Sequence, residues 1–446
     1  MKLLRNYIAV MLVSLCFVTF ASGQTRTITP SDDLQAAIDT SQAGDQLILD
    51  AGRYSGNFTI KKSLTLTGKP GAIIDGNGQG HTLVIETPDV RIETLEITNW
   101  GDDLTDMDSG IFVEKKATNT QILNNYFLGD TFGIWVDGAQ EVLIKANRIE
   151  GNLKVRSQDR GNGIHLFNVG KARVEANEVW HTRDGIYIDT SNGNELVGNY
   201  LHDLRYGVHY MYSYHNLVSG NRTVNTRTGY ALMQSKFLTV TDNISENDSN
   251  YGILMNFITQ STIENNRVSG VQNNRFVEGA PSMTEGKALF IYNSLFNKIR
   301  GNYFAESDMG VHLTAGSEDN IFTRNAFINN KEQVKYVATR PQNWSHEGVG
   351  NYWSDYLGWD MDADGIGDTQ YEPTDGVDRL LWKFPAAKVL LNSPAVETIR
   401  WVQRQFPVLK AQGVVDTHPL MSLPKKLSPS AVSDTAVMEK IDDKHS

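Results

Sequence analysis

The sequence predicts an all-β chain wound as a right-handed parallel β-helix, and three observations carry that expectation. A small residue followed by two apolar positions split by one recurs as Gly133-Ile-Trp-Val, Gly163-Ile-His-Leu, Gly185-Ile-Tyr-Ile, Gly207-Val-His-Tyr, Gly229-Tyr-Ala-Leu and Gly252-Ile-Leu-Met. The step is 22 residues from Gly163 to Gly185, Gly207 and Gly229, then 23 to Gly252, and an Asn follows each glycine by 14 residues: Asn147, Asn177, Asn199, Asn221, Asn243 and Asn266. The apolar period inside each unit is two, over four to six positions, which is strand patterning and not the 3.6 spacing of a helical repeat. Short strands repeated at a fixed period stack into parallel sheets with rungs about 4.8 Å apart.

Positions one and three after the glycine are expected inward: Ile111/Val113, Ile134/Val136, Ile164/Leu166, Ile186/Ile188, Val208/Tyr210, Tyr230/Leu232, Ile253/Met255 and Val311/Leu313. The closing Asn is expected to take the left-handed turn conformation and to bond the coils above and below it as an internal ladder.

Residues 1–23 read as a secretory signal, with Lys2 and Arg5 ahead of the apolar run Ile8 to Phe20 and then Ala21-Ser22-Gly23. The apolar run is too short for a stable membrane span. Cys16, the one cysteine, is expected to leave with it, so the mature chain has no disulfide and no thiolate ligand. Loss of Lys2 and Arg5 takes the formal net charge from −11 to −13, which argues against nucleic acid as a partner. From Ser31 the chain opens like a capped helix, Ser31 or Asp32 at the cap and Leu34, Ala37 and Ile38 on one face, expected to cover the open apolar end of the cylinder. Less regular coils follow, through Ile97, and the β-helix is expected over 24–335. Two gaps exceed the period, and their polar excess, about Asn152 to Asn162 and Val271 to Gly286, is expected to leave the cylinder as loops.

Outward positions carry the chemistry. Two and four residues after the glycines, Asp189, Met211 and Met233 fall in one row with His209 beside Met211. Thioether and imidazole are the soft ligands this chain offers a cation such as Cu(I), while the same residues also suit a protein-binding strip. Met255 belongs to the core. The dense cluster Tyr206, Tyr210, Tyr212, Tyr214, His209 and His215, with Tyr187 one rung away, is the expected centre of recognition.

Residues 336–380 read as terminal coils holding Asp360-Met-Asp-Ala-Asp-Gly-Ile-Gly-Asp. Asp360, Asp362 and Asp364 at alternate positions, Gly365 at the sharp turn, the Ile366 carbonyl and Asp368 match the first nine positions of a calcium loop. Position twelve is Tyr371, so an isolated structural calcium loop is expected, without an EF-hand. Residues 381–424 are expected to form a docking segment, with a helix over 393–406 and apolar stretches at Pro407-Val-Leu and Pro419-Leu-Met; residues 425–446 are expected to be disordered.

Together, Asp184-Gly-Ile-Tyr-Ile-Asp, Tyr206-Gly-Val-His-Tyr-Met-Tyr-Ser, the block from Asn351-Tyr-Trp-Ser-Asp-Tyr to Asp368, and Arg404-Gln-Phe-Pro-Val-Leu followed by Pro419-Leu-Met resemble the NosD family of periplasmic β-helix proteins. The resemblance spans nearly the whole mature chain. It implies a non-enzymatic partner of an ABC transporter, made of a membrane subunit and an ATPase, that works with a lipoprotein copper chaperone. Transiently held copper would then supply the copper–sulfur site of apo nitrous oxide reductase. The rival reading is a polysaccharide lyase, hydrolase or epimerase. Such an enzyme needs acids and a base in a groove, in a hydrolase paired carboxylates about 5 to 9.5 Å apart, and Asp137 and Asp189 with His165 and Tyr187 supply candidates. Neither an Asp-Pro-His-Asp word nor a Gly-His-Gly word is present. A third reading is an adhesion solenoid.

Overall fold

The computed structural model describes residues 23–273, 285–314, 316–337, 340–374, 393–405 and 413–427. The described residues form a parallel β-solenoid of three long sheets with 13, 12 and 13 strands. Each 22-residue unit supplies one strand to each, as in Arg173–Glu175, Asp184–Asp189 and Glu178–Trp180 respectively. We call the sheets first, second and third in that order. Pairing is strictly in register, Ile164 against Ile186, Ile186 against Val208 and Val208 against Tyr230, so a side chain that points inward on one rung does so on all. Ile186, Ile188, Val208, Tyr210, Leu232 and Met255 are fully buried, each aliphatic among them worth roughly 1.5–3 kcal/mol.

The leading glycines are required by close approach between rungs. A Cβ on Gly185 would sit 2.6 Å from the Gly207 carbonyl oxygen, and one on Gly207 2.7 Å from that of Gly229. The asparagines form the expected ladder: Asn199 Nδ2 donates to Val174 O at 2.9 Å and to Asn221 Oδ1 at 2.8 Å, and Asn221 Nδ2 to Asn243 Oδ1 at 3.0 Å. One detail differs. The left-handed residue is the one before the Asn, namely Ala146, Ala176, Gly198, Gly220, Asp242 and Asn265. The Asn itself stays in ordinary conformation because its amide must reach both neighbouring rungs.

Helix α1 (Leu34–Thr40) caps the first end with Leu34, Ala37 and Ile38 buried. Its cap is Asp33, whose Oδ1 accepts from Ala36 N at 2.9 Å, and not Ser31 or Asp32; Asp32 is committed to the preceding turn through Thr29 N. At the far end Asp416 is the organising residue. Its buried carboxylate accepts from Asn351 N (2.7 Å), Trp353 Nε1 (2.9 Å) and His418 N (3.2 Å), while Val414–Val415 pairs with Gln342–Asn343. Leu420 bridges to Tyr352 and Ile366. Residues 413–421, part of the segment expected to dock elsewhere, thus pack on this chain's own cylinder, because Asp416 supplies acceptors that the exposed coil end lacks. Helix α2 (Pro394–Gln405) occupies the expected stretch, with Val396 buried and Ile399 and Trp401 exposed. Lys425–Leu427, at the start of the expected disordered tail, form a short 3-10 turn with Leu427 buried, and Arg267 donates to the Leu427 carbonyl. The expected signal segment, save Gly23, most of the second insertion, residues 375–392 and 406–412 (with the Pro407-Val-Leu stretch of the expected docking segment) and residues 428–446 lie outside the described residues. No helix among the described residues is long and apolar enough to cross a membrane.

Candidate functional site

The outer face of the second sheet is lined by rings. Equivalent outward positions on successive rungs are spaced as aromatic neighbours prefer, and here the rings meet: Trp135 and His165 tilted at 41° (centroids 3.9 Å), His165 and Tyr187 tilted at 50° (4.6 Å), and Tyr187 stacked on His209 (4.3 Å, planes at 13°). Ala231 breaks the row, which resumes at Phe290 and His312 (5.0 Å). The row is less open than its outward register implies, since Trp135, His165, Ala231 and Leu254 are buried. Neighbouring rings cover one another, and the end of the first insertion lies against them, with Asn162 Nδ2 3.2 Å from His165 Nδ1. Burial pushes His165 down to about 3, so it is neutral at physiological pH.

Under His209 lies an ion cluster. Asp184, almost fully buried, accepts from Arg205 Nε at 2.8 Å and Arg205 Nη2 at 2.6 Å, and His209 Nδ1 lies 3.0 Å from its Oδ2. Burial alone would raise the Asp184 carboxyl, but the hydrogen bonds from His209 and Arg205 and their charges outweigh it and hold it down to about 2. The guanidinium of Arg205 also lies over the Tyr206 ring, 4.4 Å from its centroid. With Nδ1 turned to Asp184, His209 Nε2 is the ring nitrogen that carries the lone pair when the imidazole is neutral, the arrangement found behind metal-binding imidazoles.

The structure brings most of the expected site residues together. Asp189 is the register partner of Met211, and Met211 follows His209 by two in the same strand. Met233 occupies the same place one rung on, in the strand where Ala231 faces His209. Tyr187 stacks on His209, and Tyr206 meets it edge-on at 5.1 Å. Tyr212 and His215 lie around the corner of the coil, both left-handed (φ 47° and 57°), with Tyr212 exposed and His215 stacked on Phe237 at 4.6 Å. Tyr210 faces the core and leaves the expected recognition cluster, because it stands on the inward parity of its strand. Sequence reasoning passed over Asp184 and Arg205. Their signal was a charge directly before the glycine at Asp184, where other rungs carry Phe132, Asn162, Tyr206 or Thr228.

At the far end, ligand-type oxygens of Asp360, Asp362 and Asp364 lie within 4.8 Å of one another. Asp360 accepts from Gly365 N (2.9 Å), Asp364 from Ile366 N (2.7 Å) and Asp368 from Met361 N (2.7 Å). Gly365 takes the positive φ of 88° that the turn requires. The charge of Asp364 pushes the Asp362 carboxyl up, a repulsion that a hard divalent cation would relieve. Tyr371, at position twelve, instead pairs its backbone with Asp416 and packs its ring on Trp353 at 4.8 Å.

Comparison with known proteins narrows the reading. A family model described as "Periplasmic copper-binding protein (NosD)" matches residues 145–358. A Stutzerimonas stutzeri protein named "Probable ABC transporter binding protein NosD" is 58% identical over 379 residues, covering 84% of this chain and 86% of its own. A Pseudomonas aeruginosa protein of the same name is 56% identical over 376 residues, covering 84% and 88%. Among solved structures, a PL6 alginate lyase bound to a trisaccharide matches with TM-score 0.53 at 12% identity, over 78% of this chain and 91% of that one. The A-module of an Azotobacter vinelandii mannuronan C-5 epimerase matches with TM-score 0.52 at 15% identity, over 72% and 92%. At such identities the likeness to these carbohydrate-active proteins shows the fold alone.

Proposed function

The chain belongs to the NosD family, and from that premise we propose that it is a periplasmic, non-enzymatic maturation factor for nitrous oxide reductase. In this reading it binds an ABC transporter built of a membrane subunit and an ATPase, takes copper from a lipoprotein chaperone, and hands it on for the copper–sulfur site of the apo-reductase. Copper is cargo here, held briefly. The observation that supports the reading is the juxtaposition of His209, Met211, Met233 and Asp189 on adjacent rungs. The first three are soft donors suited to Cu(I), and Asp184 fixes the imidazole so that Nε2 is free to ligate. Tyr187 and Tyr206 hold the ring from its face and edge, while Tyr212 and His215 extend the surface toward partners.

The test is a His209→Ala, Met211→Ala, Met233→Ala triple variant. It is expected to fold and reach the periplasm and to leave the reductase copper-deficient by metal analysis. Normal copper loading in that strain would refute the site. The aspartate loop is proposed as a structural calcium staple for the end cap, with Asp360, Asp362, Asp364, the Ile366 carbonyl and Asp368 as ligands. Chelation should then lower the melting temperature of the wild type and leave an Asp362→Ala, Asp364→Ala variant unmoved; equal shifts would remove the ion.

A further inference from the structure

Many cations on the outside of the solenoid pair with carboxylates, and in one row of three arginines two do not. Arg183, Arg205 and Arg227 each stand two residues before a leading glycine, so they occupy equivalent places on three consecutive rungs along one edge of the second sheet. Backbone bonds place them on adjacent rungs: Arg205 N bonds Arg183 O (2.9 Å), and on the next rung Arg227 N bonds Leu204 O (3.0 Å) and Thr228 N bonds Arg205 O (3.0 Å). The step between neighbours is about 4.8 Å, and like charges so close repel. Arg205 is neutralised by Asp184. Arg183 and Arg227 have no carboxylate partner among the described residues, and the Arg183 Nε is buried without a hydrogen bond there.

In a chain with net charge −11, free carboxylates abound that could have been placed against this row. The stretch is also flanked by tyrosine. The charge of Arg183 acts on the Tyr187 hydroxyl and that of Arg227 on Tyr251, while Arg205 covers Tyr206. Arginine and tyrosine side by side are the composition of interface hot spots.

We infer that the row Arg183, Arg205 and Arg227 is a carboxylate-binding site whose occupant is an acidic segment of a partner protein. The molecule displays the chemistry once internally: Arg205 grips the Asp184 carboxylate through two nitrogens, a fork that Lys could not provide. Arg183 and Arg227 carry the same group one rung to either side, Arg183 offering its terminal nitrogens because its Nε is buried, and their backbones stand roughly 10 Å apart, the reach of about three residues of extended chain. Two Asp or Glu side chains on such a segment would take one guanidinium each, with the backbone lying along Tyr187, Tyr206 and Tyr251. This assigns the chemistry of the partner to the face proposed above and rests on that face being a docking surface. It does not involve the metal residues.

The experiment is calorimetric titration of the mature protein with a synthetic oligoglutamate peptide at low ionic strength, using wild type and an Arg183→Gln, Arg227→Gln variant. Arg205 is kept because its loss would strand Asp184. Wild type is expected to bind, and the variant to bind about tenfold more weakly or worse. A control with the exposed Lys62→Gln and Lys298→Gln changes should match wild type. Absence of wild-type binding, equal affinity of the two proteins, or displacement of the peptide by inorganic phosphate at equal charge would overturn the proposal. Copper binding measured on the same arginine variant should be unchanged, which separates failure here from failure of the copper reading.

Discussion

The first and third sheets show solvent a lattice of ion pairs between rungs, and among the described residues the middle of the second sheet, from Trp135 to Leu254, does not. On the former, Lys145 pairs with Glu175 at 2.9 Å, Arg148 with Glu178 at 2.8 Å, Arg222 with Glu246 at 2.8 Å and Arg300 with Glu264 at 2.6 Å. On the second sheet the equivalent outward places hold stacked rings, thioethers and a carboxylate that is buried beneath them. Exposed pairs contribute little to stability, roughly 0–1 kcal/mol each, yet they fill the strand faces with mutually satisfied charge. A face without them has been left to do something else, and the first insertion and the row of Arg183, Arg205 and Arg227 lie along its edge.

The contrast is sharpest in what a single charge removal should do. Asp184→Asn leaves Arg205 and His209 without their buried counter-charge and is expected to cost about 3–5 kcal/mol in denaturant unfolding. Lys145→Gln, on the first sheet, is expected to cost under about 1 kcal/mol. The acid limb adds a second reading. Because the folded Asp184 carboxyl is held down to about 2, its stabilisation is complete above its ordinary range near 4 and is lost as pH falls toward about 2. The wild type should therefore lose stability across that window, and Asp184→Asn should show a flatter acid limb. Equal costs for the two variants would mean that the buried cluster is no more coupled than the surface lattice.

How legible each face was from sequence follows from the same difference. The core, the Asn ladder and the glycine column are set by local rules that repeat every 22 residues, so Ile186, Asn199 and Gly207 could be assigned from spacing alone. Even there the left-handed place was displaced by one residue, because φ is not written in the Asn but in the demand of its amide on two rungs. Asp184 breaks its column, and a single unusual letter among periodic ones is easily passed over. Part of the cover over His165 comes from the end of the first insertion, whose path has no period to read. The end cap was the hardest. That Asp416 serves Asn351 and Trp353 depends on a contact more than sixty residues away in sequence, which no short motif encodes.

The smallest expected effect on stability tests the corner between the second and first sheets. Phe237 and Phe296 are left-handed (φ 55° and 58°) and exposed by 41% and 57%. A bulky residue in that conformation costs about 1–2 kcal/mol, and asparagine tolerates it better. On the Asn-ladder corner the same backbone demand is met by Gly198 and Gly220, so aromatic residues here are retained at some cost to the fold. A Phe237→Asn, Phe296→Asn variant is thus expected to melt within about 1 kcal/mol of wild type or slightly above it, while co-purifying less of the proposed transporter subunits. Loss of more than about 2 kcal/mol would make these rings structural, through contacts such as that of Phe237 with His215. Unchanged co-purification at unchanged stability would confine docking to the arginine edge on the opposite side of the same sheet.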